Sequence, residues 1–176
     1  MHSLRRFVLA FALYVALVLD GSLSFYLHQF MVIGNGACLI LPIGVMLIAL
    51  FDDTNEKEIW LALIVGIISD LYFWGFIGIY AVGLPFCCWL LQKVARFLPE
   101  VFWVKILVVL LTLAVLNIYS WLVLNIVGLI NVSIRAMLAG ILPTLGWSLI
   151  FTLLSYPIWA KLAQSYPFMV NLDNYR

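Results

Sequence analysis

The sequence predicts an all-α integral membrane protein of about six transmembrane helices, on three observations. Apolar residues make up 66% of the 176 residues and charged residues only 10%, whereas a soluble domain is about half apolar and a quarter charged. Each membrane crossing needs roughly 20 apolar residues, so the chain has room for about six spans joined by short loops. The few cations fall almost entirely on one side of such an arrangement. Residues 1–176 are therefore read as a single six-span transmembrane domain, with nothing left over for a second one.

The first span reads from about Phe7 to Leu27. Arg5-Arg6 followed by the apolar run from Phe7 to Leu19 has the look of a secretory signal, but Asp20 ends the run and no small-x-small cleavage site follows. The second span reads from about Met31 to Phe51. It is stopped by Asp52-Asp53-Thr54-Asn55-Glu56-Lys57-Glu58, a cluster expected to lie in water. The third runs from Ile59 to about Trp74, and Gly75-Phe-Ile-Gly78 predicts a tight reversal into a fourth from Ile79 to about Leu91. A polar, basic stretch from Gln92 to Lys105, broken by Pro99-Glu100, leads to a fifth span of about Ile106 to Ile126. The sixth covers Ala136 to about Pro157.

Lys and Arg are retained on the cytoplasmic side of a membrane. Six spans with an internal N-terminus place Arg5, Arg6, Lys57, Lys93, Arg96, Lys105, Lys161 and Arg176 inside and leave only Arg135 outside. Both termini are accordingly expected in the cytoplasm. Trp60, Trp74, Trp89, Trp103, Trp121 and Trp159 fall mostly near span ends, where amphipathic rings favour the membrane interface.

Composition also excludes functions. Net charge is +1 and no Lys/Arg cluster resembles a nucleic-acid footprint. Cys38, Cys87 and Cys88 sit in apolar stretches with no metal or redox spacing, and read as small buried hydrophobes. The only histidines are His2 and His28, and neither a nucleophile elbow, a zinc helix nor a phosphate loop is present. No cofactor is expected. Intramembrane aspartyl proteolysis needs two carboxylates sharing a site, and Asp20 and Asp70 lack suitable surroundings. A channel lacks its ring of like charges or glycine-rich filter.

An ionised side chain at mid-bilayer costs at least about 2.5 kcal/mol, so each one asks for an explanation. At about 1.5 Å per residue, Asp70 stands roughly 16 Å above Ile59 and Asp20 roughly 20 Å above Phe7. Both reach the outer half of the membrane, where Asn117 and Ser120 also arrive. Asp20, Asp70, Asn117 and Arg135 are candidates for an outer polar cavity in which Arg135 pairs with one of the aspartates. The competing readings are that these groups merely satisfy one another, and that Asp20 sits in headgroup water. On the sixth span Gly140, Thr144, Ser148 and Thr152 recur every four residues, followed by Ser155. That face lets backbones approach closely and hydroxyls bond across the contact; its partner is an internal neighbour or, alternatively, a helix of another protein. Ala12 and Ala16 form a weaker small pair on the first span.

The segment Gly66-Ile-Ile-Ser-Asp70-Leu-Tyr-Phe-Trp-Gly75-Phe-Ile-Gly78-Ile-Tyr80-Ala81 resembles the signature of the MreD family, the rod shape-determining membrane proteins of bacteria. That signature reads Gly-x-x-x-Asp, a short glycine-bearing turn, then Leu-Gly with a small or aromatic continuation. Leu41-Pro42 fits the proline that family members carry near the outer end of the second span. The resemblance is specific from about Pro42 to Trp89, loose over the remainder, and closest to the aromatic-rich form of Gram-positive bacteria. The acidic loop from Asp52 to Glu58 departs from it.

The resemblance implies a non-enzymatic membrane scaffold of the cell-wall elongation or peripheral peptidoglycan complex, involved in cell shape. Its implied partners are an MreC-like single-span protein and a RodA-type glycosyltransferase with its class B penicillin-binding protein, within the lipid bilayer and without nucleic acid. It also implies a fold similar to the substrate-binding subunits of energy-coupling-factor vitamin transporters. The alternative function is that of such a solute-binding subunit, against which the external segments are short and sparse. In the motif Gly66, Asp70, Gly78 and Tyr80 then have structural roles. The glycines let two spans pack tightly, and Asp70 accepts hydrogen bonds from backbone donors that a reversal leaves unpaired.

Overall fold

A computed structural model describes residues 8–30, 39–52, 55–99 and 101–165, the side chains at 25 and 27–30 excepted. These residues form six helices: α1 (Val8–Phe30), α2 (Ile40–Phe51), α3 (Lys57–Phe73), α4 (Tyr80–Ala95), α5 (Phe102–Ile126) and α6 (Ile134–Ser165). No strand occurs among them. α5 and α6 are each long and apolar enough to cross a membrane.

α2 is the axis of the bundle. Every residue from Leu41 to Leu50 is buried, and α2 touches each of the other five helices. A helix that is apolar all round is stable only where it is covered all round. Close approach is achieved partly by glycine: a Cβ at Gly44 would stand 2.6 Å from Cζ2 of Trp159, so the α6 indole lies directly on the α2 backbone. Trp159, expected near a span end, is accordingly buried. At one end of the bundle Tyr156 meets Phe102 and Phe51 edge-on, with ring centroids 4.6 and 5.2 Å apart, and Lys105 Nζ lies 4.8 Å from the centre of the Phe51 ring.

Beside its apolar core the chain buries several polar residues and exposes many large apolar ones. Asp20, Asp70, Gln92, Thr144, Ser148 and Thr152 are buried, while Phe11, Trp60, Trp103, Leu107, Leu142 and Leu154 are exposed. Water-soluble monomers do not carry apolar surface on this scale. A bilayer tolerates it, and in turn requires that backbone groups be satisfied within the chain.

The helix ends differ from the sequence expectation in several places. α4 continues to Ala95 rather than stopping at Leu91, so Gln92 and Lys93 belong to it. α5 starts at Phe102, not Ile106, and α6 extends past both expected ends, from Ile134 to Ser165, with Pro143 and Pro157 inside it. A proline deletes one donor but leaves the flanking bonds, and surrounding helices support the turn. α1 reaches Phe30 and α3 begins at Lys57. α2 is described from Ile40; the expected residues 31–38 lie outside the described residues, as do Phe7, Cys38, Asp53, Thr54, Glu100 and the cations Arg5, Arg6 and Arg176.

The acidic segment is not wholly in water. Asn55 and Glu58 are buried. Gln92 on α4 explains this: its Nε2 donates to the Asn55 carbonyl at 3.1 Å and the Asp52 carbonyl at 3.4 Å, drawing the loop onto the bundle. Glu58, in the first turn of α3, then enters among Leu13, Val45, Ile48, Leu61, Ala62 and Cys88.

Candidate functional site

The α3–α4 reversal is built around Asp70. Its main-chain carbonyl accepts the N–H groups of Trp74 at 2.9 Å and Gly75 at 3.0 Å, which closes the end of α3. Gly75 follows with φ +73, the left-handed conformation in which glycine ends helices at little cost. The Asp70 carboxylate then turns to the start of α4. Oδ2 accepts the N–H groups of Gly78 at 2.8 Å, Ile79 at 3.0 Å and Ala81 at 3.0 Å, while Oδ1 accepts that of Tyr80 at 2.7 Å. The first N–H groups of a helix have no intrahelical acceptor, and in a bilayer no water replaces one. One buried residue therefore closes α3 with its backbone and opens α4 with its side chain. The positive end of the α4 dipole adds to the stability of the carboxylate.

The motif glycines have distinct duties. A Cβ at Gly66 would stand 2.7 Å from the Tyr80 carbonyl carbon and 2.9 Å from Ala81 Cα, so α3 and α4 meet backbone to backbone there. Gly78 is different: nothing lies within 4 Å of its Cβ position, but its φ is +149. It serves the shape of the turn rather than close packing of helices, which corrects the expectation that both glycines act by packing. Tyr119 on α5 holds the turn from outside by donating its hydroxyl to the Gly78 carbonyl at 2.9 Å. The sequence carried no signal for that residue.

Asp20 plays a related part on α1. Its Oδ2 accepts the Leu41 N–H at 3.4 Å, in the first turn of α2, while Oδ1 is buried without a hydrogen-bond partner. Both aspartates thus lie against the start of the following helix, and they serve different helices. Arg135 forms no ion pair with either.

A cavity of about 370 Å³ opens between the ends of α4, α5 and α6. Of the four residues expected in an outer polar cavity, only Asn117 lines it; Asp20, Asp70 and Arg135 do not. The expected convergence is therefore corrected. The aspartates turn to helix N–H donors instead, one for Asp20 and four for Asp70. Tyr80, Ser120, Trp121, Gly140 and Thr144 complete much of the wall.

The small-residue face of α6 is turned inward over most of its length. Thr144, Ser148 and Thr152 are buried within the chain, where α6 packs on α2. The Thr144 and Thr152 hydroxyls bond back to the Gly140 and Ser148 carbonyls of their own helix, at 2.8 and 2.6 Å. Ser148 Oγ is buried without a partner. These three positions are therefore closed to a helix from another protein, and the partner-face expectation is corrected for them. Gly140 alone borders open space.

A protein-family model described as rod shape-determining protein MreD matches residues 1–166. Neither a curated protein nor a solved structure matches the chain.

Proposed function

The chain belongs to the MreD family, and from that membership we propose that it is a non-enzymatic membrane scaffold of the complex that builds elongating or peripheral bacterial cell wall. Membership assigns it to rod shape determination and to the membrane. The proposal adds the partners: an MreC-like single-span protein, and a RodA-type glycosyltransferase with its class B penicillin-binding protein.

The observation that carries the reading is the commitment of Asp70. The one carboxylate of the motif directs both oxygens at backbone N–H groups, which favours reading the motif as a device for holding two helices rather than for chemistry. Around it the bundle offers long apolar helix faces, such as that of α6 with Leu138, Leu142, Leu154 and Ile158 exposed. Faces of this kind suit association with other membrane helices.

The proposed topology is multi-pass in the bacterial plasma membrane with both termini cytoplasmic. In support, Lys57, Lys93, Lys105 and Lys161 gather where α3 and α5 begin and α4 and α6 end, whereas Arg135 lies at the opposite end.

The test is recovery of the tagged protein from its native membrane in mild detergent, with copurifying chains identified by mass spectrometry. Recovery of an MreC-like protein or a wall-synthesis glycosyltransferase is expected. Recovery of an ATPase pair with a transmembrane coupling subunit, and no wall protein, would overturn the proposal.

A further inference from the structure

We propose that the cavity between α4, α5 and α6 holds the tail of one anionic phospholipid whose head group rests on Arg135. This goes beyond the assembly role and does not depend on it.

The cavity measures about 370 Å³, within the range of small-molecule sites. Three of its polar side chains are committed. The Ser120 and Thr144 hydroxyls donate to the Leu116 and Gly140 carbonyls of their own helices, and Trp121 Nε1 donates to the Val132 carbonyl. The wall therefore presents hydrocarbon and aromatic faces. The Asn117 amide, the Tyr80 hydroxyl and the Trp74 indole N–H make no hydrogen bond with the described residues, and the last two each belong to a large aromatic ring, so the lining stays mainly apolar.

Val132 of the wall is exposed, as are its chain neighbours Leu129 and Ile134, so the surface around this part of the cavity is apolar. Arg135 stands in the same first turn of α6 as the lining residues Ala136 and Met137. It is exposed and has no acidic partner among the described residues. Charge complementarity thus selects an anionic head beside an apolar slot. A guanidinium suits phosphate because it offers a planar fork of donors.

The experiment uses purified full-length protein in detergent, incubated with equal amounts of phosphatidylglycerol and phosphatidylcholine. Lipids retained per protein are counted by native mass spectrometry. Gly140→Leu fills the cavity where no neighbour stands within 4 Å of the new Cβ, and Ala136→Leu fills its mouth. Wild type should retain one lipid, with phosphatidylglycerol preferred several-fold. Both leucine variants should lose it at unchanged thermal stability. Arg135→Gln should keep a lipid and lose the preference. Equal retention by Gly140→Leu, no lipid on wild type, an undiminished preference in Arg135→Gln, or a non-lipid solute lost in Asn117→Leu would each overturn the site.

Discussion

Asp70 Oδ2 accepts the Gly78 N–H at 2.8 Å, and the carbonyl of that same Gly78 accepts the Tyr119 hydroxyl at 2.9 Å. The turn is therefore held from both sides of one residue, by α3 through a carboxylate and by α5 through a phenol. Three helices depend on this short relay.

Asp70→Ala removes four acceptor contacts at once. Hydrogen bonds to a charged group contribute about 1.5–3 kcal/mol each and do not add fully, so a loss of at least about 3 kcal/mol is expected, read as a lower thermal midpoint in detergent and a lower level in the membrane. Asp70→Asn should fall between the two, because its amide NH₂ must face one donor. An alanine variant as stable as wild type would remove the carboxylate from the account of the turn.

Gly66 and Gly140 make a matched pair of tests. Gly66→Ala drives a methyl into the Tyr80 backbone, which cannot rotate away, and should destabilise by about 1–3 kcal/mol as overpacking does. Gly140→Ala meets open space and should be neutral or stabilising by up to about 1 kcal/mol through helix propensity. Thermal melts of both variants check the contrast.

The Gly44 and Trp159 contact should show coupling. Gly44→Ala alone is expected to destabilise by about 1–3 kcal/mol. In a Trp159→Leu background the added methyl has room, so the penalty should shrink, with an interaction energy above about 0.5 kcal/mol in a double-mutant cycle. Strict additivity would mean that the indole does not rest on α2.

Glu58 and Ser148 are buried with side-chain oxygens that lack hydrogen-bond partners. Leaving a buried polar group unsatisfied costs about 1–3 kcal/mol. Glu58→Gln, which removes the acid beside Asp52, and Ser148→Ala should therefore melt at or above the wild-type temperature. Ser148→Leu, by contrast, should lower it, because Ser148 is fully buried and the larger side chain overpacks the site. A drop in both conservative variants would show that these groups serve the fold in a way the geometry does not express.

The bundle was legible because lipid imposes long apolar runs, and each of the six helices overlaps one of them. The Asp70 turn was legible as well: a carboxylate just before Gly75-Phe-Ile-Gly78 sits beside donors that a reversal must expose. What escaped were relationships carried by distance in sequence. Gln92 pulling Asn55 inward, Trp159 covering Gly44 and Tyr119 reaching Gly78 join residues 37, 115 and 41 positions apart, and no local pattern marks any of them. The Thr144, Ser148 and Thr152 stripe was visible, but not its direction, since an inward face and a partner-binding face share one sequence pattern. The outer cavity was misread for a similar reason. Depth along a helix places Asp20, Asp70 and Asn117 at one level, but azimuth decides which of them face one another.

On the proposed reading the motif supports assembly through folding and carries no chemistry of its own. The most direct measurement compares wild type with Asp70→Asn in the native membrane, dividing the amount of copurifying MreC-like protein by the amount of folded chain. The account predicts an unchanged ratio with a smaller folded pool. A full folded pool from which the partner is lost would contradict it, and would give the Asp70 carboxylate a role beyond the turn.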